Sequence, residues 1–269
     1  MTKSNPTDCT PAKAHKDVWA SIQETAAQQV QKEPMLASFL HATVLNHSHF
    51  EDAVSYQLAG GMDFGSLRGM QMRDIIGGAF EADPEIIECI KADILAVLDR
   101  DPSVNCCLVP LLYLKGVQAL MAYRVAHWLW NQDRQLLAAH VQNLMSIAFG
   151  VDIHPAAKLG RGLFMDHATS IVIGETAVVA DNVSMLHEVT LGGTGKQTGD
   201  RHPKVQQNVL IGAGAKILGN VTIGQGAKIG AGSVVLTDVP AHCTFAGIPA
   251  VHVGSPCNTI PAEAMDHQI

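Results

Sequence analysis

Aliphatic side chains recur at every sixth position through the C-terminal part of this 269-residue chain. One column of the repeat consists of Ile211, Ile217, Ile223, Ile229 and Val235, and a second column, two residues earlier, consists of Val209, Ala215, Val221, Ala227 and Ser233. Neither a helix nor an ordinary amphipathic strand has this period. Hexapeptide repeats are typical of a parallel β-helix, in which short strands are joined by tight corners. The repeat therefore predicts a solenoid with both columns facing a narrow interior.

The repeat begins near Ile153 and is interrupted twice. The first interruption adds two residues within 166–170, and the second is a glycine-rich, charged excursion, the loop 192–208. Loops that leave a solenoid stack are common places for binding and catalytic groups. Both interruptions are therefore candidate functional segments.

Helical patterning dominates the chain before the repeat. Apolar residues recur at spacings of three and four from about Asp17 to Phe149, and glycine-rich hexads take over at Gly150. The predicted fold class is α+β, with an all-α N-terminal domain over residues 1–150 and a β-helix over residues 151–255. Residues 256–269 are polar and unpatterned, which predicts a flexible C-terminal tail.

Composition excludes several classes of protein. The net charge of -7 and the lack of a Lys/Arg-rich block argue against binding to nucleic acid or to an anionic membrane. No uninterrupted apolar segment reaches the roughly 20 residues of a membrane-spanning helix, and the N-terminus lacks the apolar segment of a signal peptide. We therefore expect a cytoplasmic protein, in which most of the six cysteines are reduced thiols.

Histidines near the interruptions raise the alternative of a zinc site. These are His154, His167, His187 and His202. Zinc ligands usually include a pair at short range along the chain, and no two of these four histidines are that close. The spacing therefore favours acid–base chemistry over metal binding, so no metal is expected.

The two interruptions also carry groups suited to acyl transfer. Asp152 precedes His167 by nearly one coil, so adjacent coils would bring a carboxylate to an imidazole that acts as a general base. Arg201 offers a planar fork for a carboxylate. A polar corner residue and a surface ion pair are the structural alternatives for His167 and Arg201. The combination predicts an enzyme that acts on a carboxylic acid or an amino acid.

Several segments resemble the hexapeptide-repeat serine O-acetyltransferases of cysteine biosynthesis. They are residues 110–116, 152–157, 165–169, 173–177, 189–196, 199–204 and 212–220. Together they are more specific than the hexads alone, and the resemblance extends over about residues 15 to 255. It implies a left-handed β-helix, active sites between the subunits of a homotrimer, and a hexamer made of two trimers.

The resemblance also implies roles for individual residues. His167 would be the general base that takes the proton of the serine hydroxyl, and Asp152 would orient its imidazole. The residues implied to bind serine are Asp101, Asp166, Arg201 and His202. Acetyl-CoA is the implied co-substrate, with contacts assigned to Gly193, Thr194, Ala213, Lys228 and Ala231.

Two further properties follow from the resemblance. L-cysteine would inhibit the enzyme from the serine pocket, and the terminal Ile269 would dock into cysteine synthase. The alternatives are acetyl transfer to another small acceptor, such as homoserine or a sugar, and a scaffold that binds cysteine synthase without catalysis.

The chain departs from the family pattern at two places. Ser170 stands where the family usually has glycine, so a positive φ there would introduce strain beside the proposed base. Cys106 and Cys107 replace a segment expected to be more polar, close to Asp101.

Overall fold

The structure, a computed structural model, describes residues 17–64, 69–195, 198–254 and 259–265. The chain divides into two compact units, Met1–Leu114 and Lys115–Ile269. In the described residues, no helix is both long enough and apolar enough to span a bilayer.

The first unit is helical. Its α-helices are α1 (Val18–Lys32), α2 (Ala37–Leu40), α3 (Phe50–Gly61), α4 (Gly69–Ala82), α5 (Glu85–Arg100) and α6 (Leu108–Tyr113). A 3-10 turn at Pro34–Leu36 precedes α2, and a π-helical turn at His41–Leu45 follows it. The side chain of Asp17 caps α1 by accepting from the backbone N–H of Ala20 at 3.0 Å. The unit buries an apolar core that includes Ile22 and Ile90.

The second unit begins with two helices, α7 (Lys115–Asn131) and α8 (Gln135–Phe149). Gly150 ends α8 with a φ of 65°, a left-handed C-cap that favours glycine. The first strand follows directly, at Val151. The compact units nevertheless divide at residue 114, because α7 and α8 group with the strands that follow them.

Fourteen short strands form the three faces of a parallel β-helix. Sheet A contains β1 (Val151–Ile153), β4 (Ile171–Ile173), β7 (Thr190–Gly192), β10 (Lys216–Leu218) and β13 (Val234–Val235). Sheet B contains β2 (Lys158–Leu159), β5 (Val178–Val179), β8 (Lys204–Val205) and β11 (Thr222–Ile223). Sheet C contains β3 (Phe164–Met165), β6 (Ser184–Met185), β9 (Leu210–Ile211), β12 (Lys228–Ile229) and β14 (Thr244–Gly247), to which β15 (Ala250–Val253) adds antiparallel.

The hexad columns fill the interior of this β-helix. Ile153, Ile173, Leu191, Ile217 and Val235 are all buried along sheet A. Burial of each such side chain stabilises the fold by about 1.5–3 kcal/mol relative to an exposed position. The predicted α+β class, a helical part followed by a parallel β-helix of hexapeptide repeats, is confirmed, and the architecture is consistent with the left-handed form.

Two boundaries differ from the sequence prediction. The excursion ends at Pro203 rather than at residue 208, since Lys204 and Val205 pair with Val178 and Val179 in sheet B. Val205 stands six residues before Ile211 and continues the first column, but Pro203 takes the place of an aliphatic residue in the second column, which conceals this hexad in the sequence. In the predicted tail, Pro261–Ala264 form a short helix, α9, and the carbonyl of the buried Ala262 accepts from the Ser184 hydroxyl at 2.6 Å.

Candidate active site

One edge of the β-helix is formed by the turns that leave sheet A, at residues 154–157, 174–177, 193–195 and 198–203; we call it the arginine edge. These turns stack through backbone hydrogen bonds, such as that from the N–H of Gly174 to the carbonyl of Leu191 at 3.0 Å. The excursion leaves the third turn and folds back against the second. This return brings Arg201 and His202 next to residues about 26 positions earlier in the chain.

Arg201 is held in place by two acceptors. Its Nη2 donates to Oε2 of Glu175 at 2.6 Å, and its Nη1 donates to the carbonyl of Gly199 at 3.1 Å. The hydrogen bond from Arg201 lowers the pKa of the Glu175 carboxyl, which therefore stays ionised. Arginine has five N–H groups, so the positioned guanidinium keeps donors for a substrate carboxylate.

His202 is buried beside Arg201. Its Nδ1 lies 3.1 Å from the backbone N–H of Thr176, which can only donate, so Nδ1 is the acceptor and the neutral ring carries its proton on Nε2. Burial, followed by the charge of Arg201, lowers the pKa of His202 and favours this neutral form. The ring fits only against glycine, because a Cβ on Gly174 would lie 2.1 Å from it.

A second edge is formed by the turns that enter sheet A, at residues 166–170, 186–189, 212–215 and 230–233; we call it the base edge. Backbone hydrogen bonds join its successive turns, from Gly214 to His187 at 2.9 Å and from Gly232 to Ala213 at 2.7 Å. The predicted base His167 and the predicted acetyl-CoA contacts Ala213 and Ala231 all lie along this edge.

His167 projects into solvent from the base edge. Its Nε2 lies 3.7 Å from Oδ1 of Asp166, and its ring centroid lies 5.8 Å from that of His187 in an edge-on arrangement. Nδ1 of His187 is buried and has no hydrogen-bond partner among the described residues. The arrangement leaves the imidazole of His167 accessible to a substrate hydroxyl.

Helix α7 supports the turn that carries His167. Nζ of Lys115 donates to the hydroxyl of Thr169. A Cβ on Gly116 would lie 2.2 Å from the carbonyl oxygen of Met165, so only glycine allows the helix to approach this closely. The Lys115-Gly116 pair at the end of the segment 110–116 therefore has a structural role, which is to support the turn that carries His167.

The turn that carries His167 is strained, as the serine at position 170 suggested. His167, Ala168 and Ser170 have φ values of 56°, 56° and 62°. A left-handed conformation destabilises a residue with a Cβ by roughly 1–2 kcal/mol. Glycine avoids this strain, but it also raises the conformational entropy of the unfolded chain, which offsets part of the gain.

Ser170→Gly is expected to stabilise each subunit by about 0.5–1 kcal/mol, because the exposed side chain contributes little packing and its Cβ causes the strain. The midpoint of thermal unfolding should rise. Ser170→Ala removes only the hydroxyl and should leave the midpoint nearly unchanged. A lower midpoint for Ser170→Gly would show that the turn is not strained at this residue.

Asp152 occupies a different environment from the predicted one. It lies in the middle of β1, pairs in register with Val172, and its Oδ1 accepts from Nε2 of Gln142 on α8 at 2.7 Å. Neighbouring coils are offset by 20 residues here, rather than by the 18 residues of three hexads. Within one described chain the Asp152 carboxylate is hydrogen bonded to Gln142 and not to His167.

The other predicted residues are distributed over both units. Asp101 belongs to the first unit, where its Oδ1 accepts from the backbone N–H of Ser103 at 2.8 Å and from its hydroxyl at 2.6 Å. Gly193 and Thr194 begin the excursion, and Lys228 is buried at the start of β12. Ile269 lies outside the described residues. Within the described ranges, no cluster of three or more His, Cys, Asp or Glu could hold a metal ion.

Sequence reasoning assigned no role to three residues that organise the site: Gln142, Glu175 and Thr176. Glu175 and Thr176 belong to a segment that carried the family resemblance, which was the only signal. Their partners are far away in the chain, so no spacing rule finds them. Gln142 lies in an amphipathic helix, where a glutamine is an ordinary polar residue and does not indicate a functional role.

Comparison with known proteins identifies the family. Residues 18–122 match the family described as the N-terminal region of serine acetyltransferase, and residues 202–237 match the bacterial transferase hexapeptide repeats. The chain is 54% identical to serine acetyltransferase of Salmonella typhimurium over 256 residues, which cover 95% of this chain and 94% of that protein.

Solved structures agree with the sequence match. A serine acetyltransferase determined in complex with cysteine is 51% identical and superposes with a TM-score of 0.93 over 94% of this chain and 99% of that one. The serine acetyltransferase of Brucella abortus in complex with coenzyme A is 50% identical, with a TM-score of 0.88 over 90% of this chain and 97% of that one. With such identity along almost its whole length and the same fold, the chain belongs to the serine acetyltransferase family.

Proposed function

We propose that the two edges of the β-helix have different roles in the transfer of an acetyl group to serine. The reaction moves the acetyl group of acetyl-CoA to the hydroxyl of L-serine and yields O-acetyl-L-serine and CoA. The family match carries the activity, and the position of Arg201, His202 and His167 on the two edges carries the assignment of roles.

The arginine edge binds the amino acid. The guanidinium of Arg201, fixed by Glu175, forms charge-assisted hydrogen bonds with the serine carboxylate. His202 donates its Nε2 proton to the same ligand, and its neutral state avoids a second positive charge close to Arg201. Asp101 and Asp166 hold the serine ammonium group.

The base edge performs the chemistry. His167 accepts the proton of the serine hydroxyl as the oxygen attacks the acetyl carbon, and it returns a proton to the departing thiolate of CoA. Backbone N–H groups stabilise the oxyanion of the tetrahedral intermediate. Asp152, oriented by Gln142, stabilises the imidazolium. Acetyl-CoA lies along Ala213 and Ala231, with further contacts to Gly193, Thr194 and Lys228.

A complete site requires two copies of the chain. In a single chain the two edges lie at opposite ends of the strands of sheet A; β4, which runs from one edge to the other, has three residues and spans about 10 Å at roughly 3.3 Å per residue. One serine molecule is too small to reach both edges. We therefore place each site between the base edge of one subunit and the arginine edge of the next in a homotrimer, with two trimers forming a hexamer.

Co-expression of two inactive variants tests this arrangement. His167→Asn subunits and Arg201→Ala subunits, carrying different affinity tags, should form mixed trimers, each with one of its three interfaces containing both intact residues. Purification on both tags should recover serine-dependent release of CoA thiol. Recovery of none, from trimers shown by mass to contain both chains, would place the whole site within one subunit.

The acceptor is L-serine rather than a sugar, because Arg201 and the carboxylates of Asp101 and Asp166 match an amino acid, and the family match favours serine over homoserine. One extra methylene changes the discrimination by only about 1–3 kcal/mol, so serine and homoserine need comparison side by side in the thiol-release assay. Higher kcat/KM with homoserine would reverse the assignment.

L-cysteine inhibits by occupying the serine pocket, as the structure of a relative bound to cysteine suggests. The enzyme acts in the cytoplasm, where the C-terminal Ile269 docks into cysteine synthase. Removal of Ile269 should abolish co-purification with cysteine synthase and leave acetyl transfer intact. Undiminished co-purification would exclude this residue as the contact.

A further inference from the structure

The polar groups of Thr176 all have partners in the segment 200–204. The hydroxyl oxygen accepts from the backbone N–H groups of Arg201 at 3.0 Å and of His202 at 3.1 Å, and it lies 2.9 Å from Nδ1 of His202. The backbone N–H of Thr176 donates to the same Nδ1 at 3.1 Å, and its carbonyl accepts from Nζ of Lys204 at 2.7 Å. One side chain in the second coil therefore fastens the return of the excursion.

The hydroxyl is used to its full capacity. A threonine hydroxyl has one hydrogen to donate and two lone pairs to accept. Two backbone N–H groups occupy the lone pairs, so the hydroxyl hydrogen is left to donate, either to the Asp200 carboxylate or to Nδ1 of His202, which already accepts from the Thr176 N–H. If Nδ1 carried a proton, that proton would face both the Thr176 N–H and a hydroxyl oxygen whose lone pairs are already occupied. Thr176 therefore excludes the Nδ1-protonated tautomer as well as fixing the position of the ring.

We infer that Thr176 is a positioning residue for serine binding, which sets the direction of the Arg201 guanidinium and keeps His202 in the Nε2–H tautomer that faces the ligand. This inference rests on the proposed binding of the serine carboxylate by Arg201 and His202. Thr176 does not touch the reacting atoms itself.

The hydroxyl oxygen is the acceptor for both backbone N–H groups. Its removal leaves the N–H groups of Arg201 and His202 without an acceptor next to a buried imidazole, and an unsatisfied buried donor strongly favours rearrangement. Lys204 still ties the carbonyls of Thr176 and His202 together. The excursion is therefore expected to stay attached but to lose the orientation of its two binding groups.

The test compares Thr176→Val, which keeps the shape of the side chain without its hydroxyl, with Thr176→Ser, which keeps the hydroxyl. Thr176→Val should raise KM for serine by about tenfold or more, while kcat at saturating serine falls by less than about threefold. Thr176→Ser should restore KM to within about threefold of the parent enzyme. A KM for serine that is unchanged in Thr176→Val would overturn the inference.

The kinetics of Arg201→Ala, measured in parallel, distinguish a failure of the role inferred for Thr176 from a failure of the proposed carboxylate site. If Arg201→Ala raises KM for serine and Thr176→Val does not, only the inference about Thr176 fails. If neither variant raises it, the proposed carboxylate site itself is wrong. Trimer mass and thermal unfolding are measured for every variant, so that a folding defect is recognised.

The tautomer of His202 provides a measurement that needs no folded Thr176→Val protein. In the intact enzyme labelled with ¹⁵N in its histidine rings, the His202 signals, assigned by their loss in His202→Gln, should show a proton on Nε2 and an unprotonated Nδ1. A proton on Nδ1 in the intact enzyme would contradict the hydrogen-bond scheme directly.

Discussion

Replacement of His167 by asparagine is expected to lower kcat for serine acetylation by about 100-fold or more, because a positioned general base contributes at least that factor. This loss corresponds to about 2.7 kcal/mol of transition-state stabilisation. Asparagine is the appropriate replacement since it tolerates the left-handed backbone of this turn, where φ is 56°. The measurement is the rate of CoA thiol release at saturating serine and acetyl-CoA.

His242 offers a matched control for this substitution. It is an exposed histidine at another corner of the same β-helix, and its φ of 58° is almost the same as that of His167. His242→Asn makes the same chemical change in the same backbone conformation, and it should leave kcat within about twofold of the parent value. A His167→Asn variant that kept more than a tenth of the parent kcat would remove His167 from the role of base.

Replacement of Arg201 by alanine is expected to raise KM for serine by about 100-fold or more. Two charge-assisted hydrogen bonds to a carboxylate contribute roughly 1.5–3 kcal/mol each, and the change also leaves Glu175 without its partner. Arg201→Lys should recover only a small part of the affinity, because an ammonium group cannot reproduce the planar fork. Initial rates over a range of serine concentrations give KM and kcat separately.

Arg134→Ala controls for the loss of a positive charge alone. Arg134 is exposed, precedes α8, and belongs to neither edge of the β-helix. Its replacement should leave KM for serine within about twofold. If the two arginine variants behaved alike, the effect of Arg201 would come from general electrostatics and not from a specific carboxylate site.

The sequence predicted some features of the fold and of the candidate site and missed others. The hexads predicted the interior of the β-helix residue by residue from Val209 to Val235, where both columns are buried throughout, because a six-residue period constrains which side chain points inward. The strain at Ser170 was also foreseen, since the family glycine indicated a left-handed turn. The extent of the excursion was not foreseen, because Pro203 interrupts the second column just before Val205 resumes the first.

The sequence by itself determined the type of fold, the helix-to-strand transition at Gly150 and the identity of His167 and Arg201 as candidate groups, since local periodicity and motifs encode these. Only the tertiary structure decided which groups meet. Coil stacking brings Arg201 into contact with Glu175, and His202 into contact with Thr176, across about 26 residues. The carboxylate of Asp152 is hydrogen bonded to Gln142. His167 lies at the opposite end of sheet A from Arg201. The physical reason is that side-chain contacts in a solenoid depend on the length of each coil and on the point where a loop folds back. The identities of the two contacting residues determine neither of these.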